Sequence, residues 1–183
     1  MKILYVSSST VPSRTANSVH VMKMSQAFAN NGHEVTLLVS DIHSAPQLGV
    51  DDVFSHYGVE ENFSLRNIVV PKVPGKDYIF GVLSAWYARK GGFDIVFCRN
   101  FAACYFSALL GKQVIFETHM PMGERKRLGR IFFKRLLKSR RLKQVVVITH
   151  ALKRRMEQDY PEIKGKVVVA PDGADPVAED VAV

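Results

Sequence analysis

The chain has 183 residues, which fits one domain of ordinary size, and 47% of them are apolar, which is enough for a buried core. Its apolar runs are shorter than the roughly 18–20 residues of a membrane-spanning helix, and its apolar start is too short for a signal peptide, so we expect a cytoplasmic protein. The formal net charge is +8, which predicts an anionic partner.

Short apolar runs, most of them β-branched and without polar alternation, recur along the chain. Strands of this kind are buried on both faces, which is typical of a parallel sheet covered by helices. Amphipathic helical patterns lie between most of the runs. The predicted strands are residues 3–6, 35–39, 68–70, 95–97, 114–116, 145–148 and 167–170. The predicted helices are 17–31, with Asn17 or Ser18 as the N-cap, and about 77–90, 101–110, 124–140 and 150–158.

This alternation predicts an α/β fold: a Rossmann-like, doubly wound, mainly parallel sheet with helices on both faces. Residues 41–66 are less regular and are expected to hold loops and a short helix. The sequence shows neither an internal repeat nor a second domain. We therefore expect one domain over residues 1–176, with 177–183 as the start of a linker or a truncation tail.

The loop after the first predicted strand, residues 7–18, contains no glycine. A dinucleotide-binding motif needs glycines so that the backbone can approach a pyrophosphate, and a P-loop needs Gly-Lys-Ser/Thr. Both an NAD enzyme and a P-loop NTPase are therefore disfavoured. The loop is polar, carries Arg14 and ends at a helix N-terminus, which suits an anion site. An ordinary capped connection would have the same appearance.

Polar side chains follow the fourth and fifth predicted strands. Arg99 and Asn100 come after the fourth, and Glu117 and His119 come at the end of the fifth. Because the carboxyl ends of parallel strands meet at one edge, we expect these residues to lie beside the first loop. Arginine suits phosphate or carboxylate recognition, and a histidine near a carboxylate has its tautomer and charge fixed, as acid–base chemistry requires. A lone histidine at a strand end can also be structural.

The charge excess is concentrated in residues 124–143, which hold ten basic residues and a single acid. Five of the basic residues recur every three or four positions, which predicts one basic helix face. They are Arg127, Arg130, Lys134, Lys138 and Arg141. Of the apolar residues here, one set is expected to pack on the sheet and another to flank the basic stripe. The first set is Leu128, Ile131, Phe132 and Leu136, and the second is Phe133 and Leu137.

Three interpretations of the basic stripe stay open. A solvated helix face needs no partner. A membrane-surface helix needs apolar groups beside its basic stripe, and Phe133 and Leu137 would supply them. The basic stripe would also attract nucleic acid, but no base-reading motif or aromatic interleaving supports a nucleic-acid partner.

Three segments carry a family resemblance. Val19-His20-Val21 leads into Gly32-His33-Glu34-Val35. Arg99-Asn100 is followed by Glu117-Thr118-His119. Val147-Ile148-Thr149-His150 is followed by Pro171-Asp172-Gly173-Ala174-Asp175. In this order and spacing they resemble the N-terminal domain of family 4 (group 1) glycosyltransferases, which are retaining enzymes with the GT-B fold.

The resemblance implies two Rossmann-like domains that face a cleft, of which this chain is the N-terminal, acceptor-binding half. The nucleotide-sugar donor would bind mainly to a C-terminal domain, so the isolated domain is expected to be inactive. Members of the family usually need no metal, and the spacing of Cys98 and Cys104 matches no zinc motif. The implied partners are a nucleotide sugar, an unknown acceptor and the second domain, with no cofactor.

By position, His119 resembles the family's active-site histidine, close to the transferred sugar, and Glu117 precedes it in the same motif. The resemblance implies that His119 stabilises charge or hydrogen-bonds the sugar. Residues around Asn17 match the loop that approaches the donor phosphates. Many members carry two glycines where Ala16 and Asn17 stand, so side-chain contact by Asn17 or Ser18 is expected instead.

Several members dock on membranes through basic N-domain helices, which implies that this protein is peripheral at the inner face of the cell membrane. Two alternatives to the enzyme remain. One is a stand-alone binding module that uses residues 124–143 on anionic lipid or nucleic acid. The other is a different sheet-based nucleotide binder, which the glycine-free first loop disfavours.

Overall fold

The computed structural model describes residues 1–43, 45–121 and 127–173. Within these ranges, seven parallel strands form one sheet in the order β3-β2-β1-β4-β5-β6-β7. The strands are β1 (Lys2–Val6), β2 (Glu34–Val39), β3 (Ser64–Asn67), β4 (Ile95–Cys98), β5 (Gln113–Thr118), β6 (Leu142–Val147) and β7 (Val167–Val169). The helices are α1 (Ala16–Asn30), α2 (Val53–Tyr57), α3 (Lys76–Lys90), α4 (Phe101–Leu109), α5 (Arg127–Leu137) and α6 (His150–Asp159). The predicted Rossmann-like α/β fold is confirmed.

Helices cover the two faces of the sheet unequally. α1 and α2 pack on one face through a core that includes Val21 and Met22. The other helices pack on the opposite face through a larger core that includes Phe80 and Phe133. The strand order reverses at β1, whose other neighbour is β4. The carboxyl ends of β1 and β4 therefore flank the switch point, where doubly wound sheets bind their ligands.

Side-chain caps fix where two helices begin at this edge. Thr15 is extended and its hydroxyl accepts a hydrogen bond from Ser18 N at 3.3 Å, which makes Thr15 the N-cap of α1. The prediction of Asn17 or Ser18 as the cap was wrong, because the helix begins earlier, at Ala16. Asn100 caps α4, and its Oδ1 accepts from Ala103 N at 3.0 Å.

The third strand lies before the apolar run that predicts it. β3 pairs with the second half of β2, and the predicted strand 68–70 follows it, with Val69 exposed and Val70 buried in the core. β3 is the edge strand, and three of its four residues are exposed. It therefore lacks the continuous apolar signal of a strand covered on both faces.

The basic helix ends earlier than predicted and is turned differently. α5 ends at Leu137, so Lys138 follows it and Arg141 lies in the turn before β6, outside any shared helical face. Phe133 and Leu137 are fully buried, whereas Ile131 is 43% exposed, which reverses their predicted roles. The buried set repeats as i, i+4, i+7 and i+8, the spacing of a core-facing helix. That set is Gly129, Phe133, Leu136 and Leu137.

Three predictions fall partly or wholly outside the described residues. These are the start of the predicted helix 124–140, at residues 124–126, the domain boundary at 176 with the tail 177–183, and the end of the Asp172-Gly173-Ala174-Asp175 turn. In the described ranges, no helix has the length and apolar character needed to cross a bilayer.

Candidate functional site

Glu117 is the centre of a charged cluster at the carboxyl edge of the sheet. Its side chain is almost fully buried at the end of β5, and Arg99 Nη1 and His119 Nε2 each lie 3.3 Å from its Oε1. Arg99 also contacts the His119 ring directly. Tyr5, from β1, donates its hydroxyl to Glu117 Oε2 at 3.3 Å. The predicted convergence of Arg99, Glu117 and His119 at one edge is confirmed.

His20, from α1, also joins this cluster, although it is not among the site residues predicted from the sequence. Its Nε2 lies 3.2 Å from Glu117 Oε1, and its Nδ1 lies 3.1 Å from Asp172 Oδ1. The sequence contains a signal that could have identified His20 as a site residue, because it lies in the second turn of a helix whose N-terminus adjoins the switch point. The contact also ties α1 to the segment that follows β7.

The cluster fixes the charge of its members. Burial raises the pKa of Glu117, but contacts with His20, Arg99 and His119 outweigh burial and hold that pKa below its ordinary value. Burial and the nearby Arg99 lower the pKa of His119. Burial and the Glu117 charge raise the pKa of Tyr5. At neutral pH, the edge therefore presents an ionised Glu117, a neutral His119 and a protonated Tyr5.

His20, Glu117 and Asp172 bring one possible metal-ligand atom each within 4.8 Å of one another. Two features disfavour a cation there. His20 directs its two ring nitrogens at the two carboxylates separately. In addition, the positive Arg99 guanidinium lies 3.3 Å from Glu117 Oε1 and would repel a cation bound there. An ion-pair network explains the cluster better than a metal site does.

Two cavities open on either side of the cluster. One, of about 380 Å³, lies at the N-terminal ends of α3, α4 and α5, and is lined by Ser8, His43, Asp77, Tyr78, Arg99, Asn100, Phe101, Ala102 and Gly129. The other, of about 840 Å³, is a groove between α1, the sheet and the loop after β7. Its polar lining includes Arg14, His20, Lys23, Glu117 and Asp172. Ligands of two different shapes could therefore reach the cluster from two sides.

The other predicted site residues differ in accessibility. Arg14 is exposed and lines the larger groove. Asn17 is exposed, and its Nδ2 donates to Ser9 Oγ at 2.6 Å. Ser18 is fully buried, and its hydroxyl oxygen lies 2.8 Å from each of the carbonyl oxygens of Ser13 and Thr15, between which its single hydrogen is shared. Ser18 therefore stabilises the start of α1, a placement that does not fit the predicted contact with a substrate.

Asn100 has a mixed position. Its side chain is committed to the N-cap of α4, yet it lines the smaller cavity beside Arg99. Arg99 is therefore the better placed of the two to contact a ligand.

Four of the predicted membrane or anion contacts have exposed side chains, namely Arg130, Lys134, Lys138 and Arg141.

The sequence model of Glycosyltransferase Family 4 matches residues 18–177. No curated protein matches the chain at a significant level. Among solved structures, Anabaena Alr3699/HepE in complex with UDP superposes with a TM-score of 0.64 at 10% identity. The lipopolysaccharide outer core galactosyltransferase WaaB gives 0.59 at 12%. A putative UDP-N-acetylglucosamine 2-epimerase from Listeria monocytogenes gives 0.60 at 11%.

These three structures cover 96%, 95% and 92% of this chain, which spans only 45%, 46% and 44% of their own lengths. At such identities they show the fold alone. The sequence model, in contrast, matches most of the chain and does so across the segments that build the Glu117 cluster. The chain belongs to glycosyltransferase family 4.

Proposed function

We propose that this chain is the N-terminal, acceptor-binding half of a retaining, nucleotide-sugar-dependent glycosyltransferase of the GT-B type (group 1). The observation that carries the proposal is the Arg99–Glu117–His119 cluster at the sheet edge of a family 4 domain. Similar structures are described in complex with UDP, and with UDP and glucose. The domain is about half of those chains, so the donor site would be completed by a second domain.

His119 would touch the transferred sugar. As a neutral imidazole at the mouth of the cluster, it can donate or accept a hydrogen bond without adding charge. Arg99 positions its ring by donating a hydrogen bond to Nε2, and Glu117 in turn pairs with Arg99. Arg14 and Asn17 are exposed and lie at the N-terminal end of α1, where they could approach donor phosphates. We propose transfer without a metal ion or cofactor, which the contacts of Arg99 and His20 with Glu117 favour.

We propose a cytoplasmic location, peripheral at an anionic membrane. The support is electrostatic: Arg130, Lys134, Lys138 and Arg141 are all exposed, and the chain carries a net charge of +8. The same charges keep a second candidate function open, a module that binds anionic lipid or nucleic acid without catalysis. Sugar transfer by the full-length protein separates that candidate from the enzyme.

Replacing His119 by alanine in the full-length protein is expected to lower kcat by about 10²-fold or more, because a preorganised hydrogen bond to the reacting sugar is lost. The affinity for the nucleotide should change little, since the donor is held mainly by the second domain. Transfer of labelled sugar and nucleotide titration would give the two quantities. His56, exposed on α2, offers the matched control, His56→Ala. Equal kcat values for His119→Ala and the native enzyme would remove His119 from the reaction.

A further inference from the structure

Helix α3 exposes an apolar face that the sequence did not predict. Phe80, Gly81, Ser84, Ala85 and Ala88 are buried against the rest of the fold. The opposite side of the helix carries Tyr78, Val82, Leu83 and Trp86, which recur at helical spacing. Their exposed fractions are 37%, 48%, 37% and 54%. We call these four residues the α3 stripe. Four large apolar side chains together on one helix face are not the scattered exposure of an ordinary surface.

Aromatic rings extend the α3 stripe toward α5. The ring of Tyr78 lies 6.4 Å from that of Phe132, which stacks on Tyr105 of α4 at 4.9 Å. Ile131, the preceding residue of α5, is itself exposed. The apolar surface of α3 and the basic helix α5 therefore belong to one continuous side of the molecule.

This side is strongly basic. Among the described residues of α3, α4 and α5, the single acid is Asp77, at the start of α3. The basic residues with described side chains in these helices are Lys76, Arg89, Lys90, Arg130, Lys134 and Arg135, and Lys138 directly follows α5. Lys90 Nζ lies 3.9 Å from the centre of the Trp86 ring, so cation and indole already share one patch.

We propose that the α3 stripe is a membrane-docking surface, which inserts Tyr78, Val82, Leu83 and Trp86 into the interface of an anionic bilayer while the surrounding basic residues contact its headgroups. Apolar side chains on one helix face, edged by Lys and Arg, are what an interfacial helix requires. Tryptophan and tyrosine favour the headgroup region. The stripe replaces Phe133 and Leu137, the predicted lipid contacts, which are buried.

The position of the stripe gives the docking a consequence for the site. Tyr78 also lines the smaller cavity beside Arg99. A bilayer that contacts α3 therefore lies next to that cavity, so a group anchored in the membrane is already close to the cavity. The inference rests on the proposed membrane location and is independent of sugar transfer.

The single tryptophan of the chain lies in the stripe, so its fluorescence reports on this surface alone. The 183-residue chain would be titrated with vesicles of phosphatidylcholine plus phosphatidylglycerol, and with vesicles of phosphatidylcholine only. On the anionic vesicles, Trp86 emission should shift to shorter wavelength and be quenched by brominated acyl chains. Higher salt should weaken the binding, because the charge contribution is screened. Sedimentation with anionic vesicles should be lost in the double variant Arg130→Glu/Lys134→Glu.

Variants of exposed residues separate the stripe from charge alone. Trp86→Ser should weaken vesicle binding by about tenfold or more. Val82→Ser keeps the fluorophore and should reduce its quenching. Leu48→Ser, on a loop and 93% exposed, is the matched control and should bind as the native chain does. Circular dichroism would verify that each variant is folded.

Three results would overturn the inference. The first is that the chain does not sediment with anionic vesicles at all. The second is sedimentation with unchanged Trp86 emission, which would mean that charges elsewhere bind the lipid and the stripe does not. The third is a dimer that Trp86→Ser dissociates, which would make the stripe a self-association surface. Sugar transfer in the full-length enzyme could succeed or fail in each case, so the two proposals fail separately.

Discussion

Replacing Glu117 by alanine is expected to lower the free energy of unfolding by about 3–5 kcal/mol. The side chain of Arg99 is only 10% exposed, so removing Glu117 leaves a buried guanidinium without its carboxylate. The Tyr5 hydroxyl loses its acceptor at the same time. Urea unfolding of the native chain and the variant would measure the loss.

Two comparisons isolate the buried pair. Asp172 is half-exposed and contacts His20 alone among the ion pairs described, so Asp172→Ala should cost less than about 1 kcal/mol. In a double-mutant cycle, Glu117→Gln with Arg99→Met should cost less than the sum of the single changes, because no unpaired buried charge remains. A fully additive cycle would show that the two residues do not act as a pair.

The same cluster sets the acid response of the fold. The pKa of Glu117 in the folded chain lies below its ordinary value of 4.5. Its ionised form therefore contributes stability that is present above the unfolded value and is lost as pH falls through the lowered folded value. The stability difference between native chain and Glu117→Gln should shrink over that acidic range. A difference that persists after Glu117 is protonated would point to packing rather than charge.

Replacing Phe133 by alanine is also expected to cost about 3–5 kcal/mol, because a fully buried aromatic side chain leaves a cavity. Its ring packs against Tyr160 at 4.9 Å, Phe101 at 5.9 Å and Phe116 at 6.1 Å, so it joins α5 to α4, β5 and the chain after α6. Thermal or urea unfolding would measure the effect.

The neighbouring Ile131 gives the control on the same helix. It is 43% exposed, so Ile131→Ala should cost less than about 1 kcal/mol. The pair of variants tests how α5 is turned on the sheet. A larger loss from Ile131→Ala than from Phe133→Ala would restore the face predicted from the sequence and contradict the packing described above.

Much of the fold could be predicted because its strands are buried on both faces. Leu4, Val96 and Val145 lie in runs with no polar alternation, and that pattern identifies a covered parallel sheet. β3 was misplaced because an edge strand such as Ser64–Asn67 carries no such pattern. The charges of α5 predict the wrong orientation for this helix, whereas the spacing of Phe133, Leu136 and Leu137 matches the face that is buried.

The site could be predicted only in part, for a different reason. Arg99, Glu117 and His119 all follow strands, and strand ends converge by topology alone, so their meeting was foreseeable. The contacts of His20 with Glu117 and Asp172 join α1 to β5 and to the chain after β7. Such contacts depend on the tilt of a helix and the path of a loop. The local spacing of residues records neither.

We propose that this family 4 domain supplies the acceptor side of a glycosyltransferase and leaves the donor side to a second domain. The most direct test is a transfer assay with labelled nucleotide sugars, run in parallel on the full-length protein and on the 183-residue chain alone. We expect sugar transfer by the full-length protein and no turnover by the isolated chain. Robust transfer by the isolated chain would contradict it.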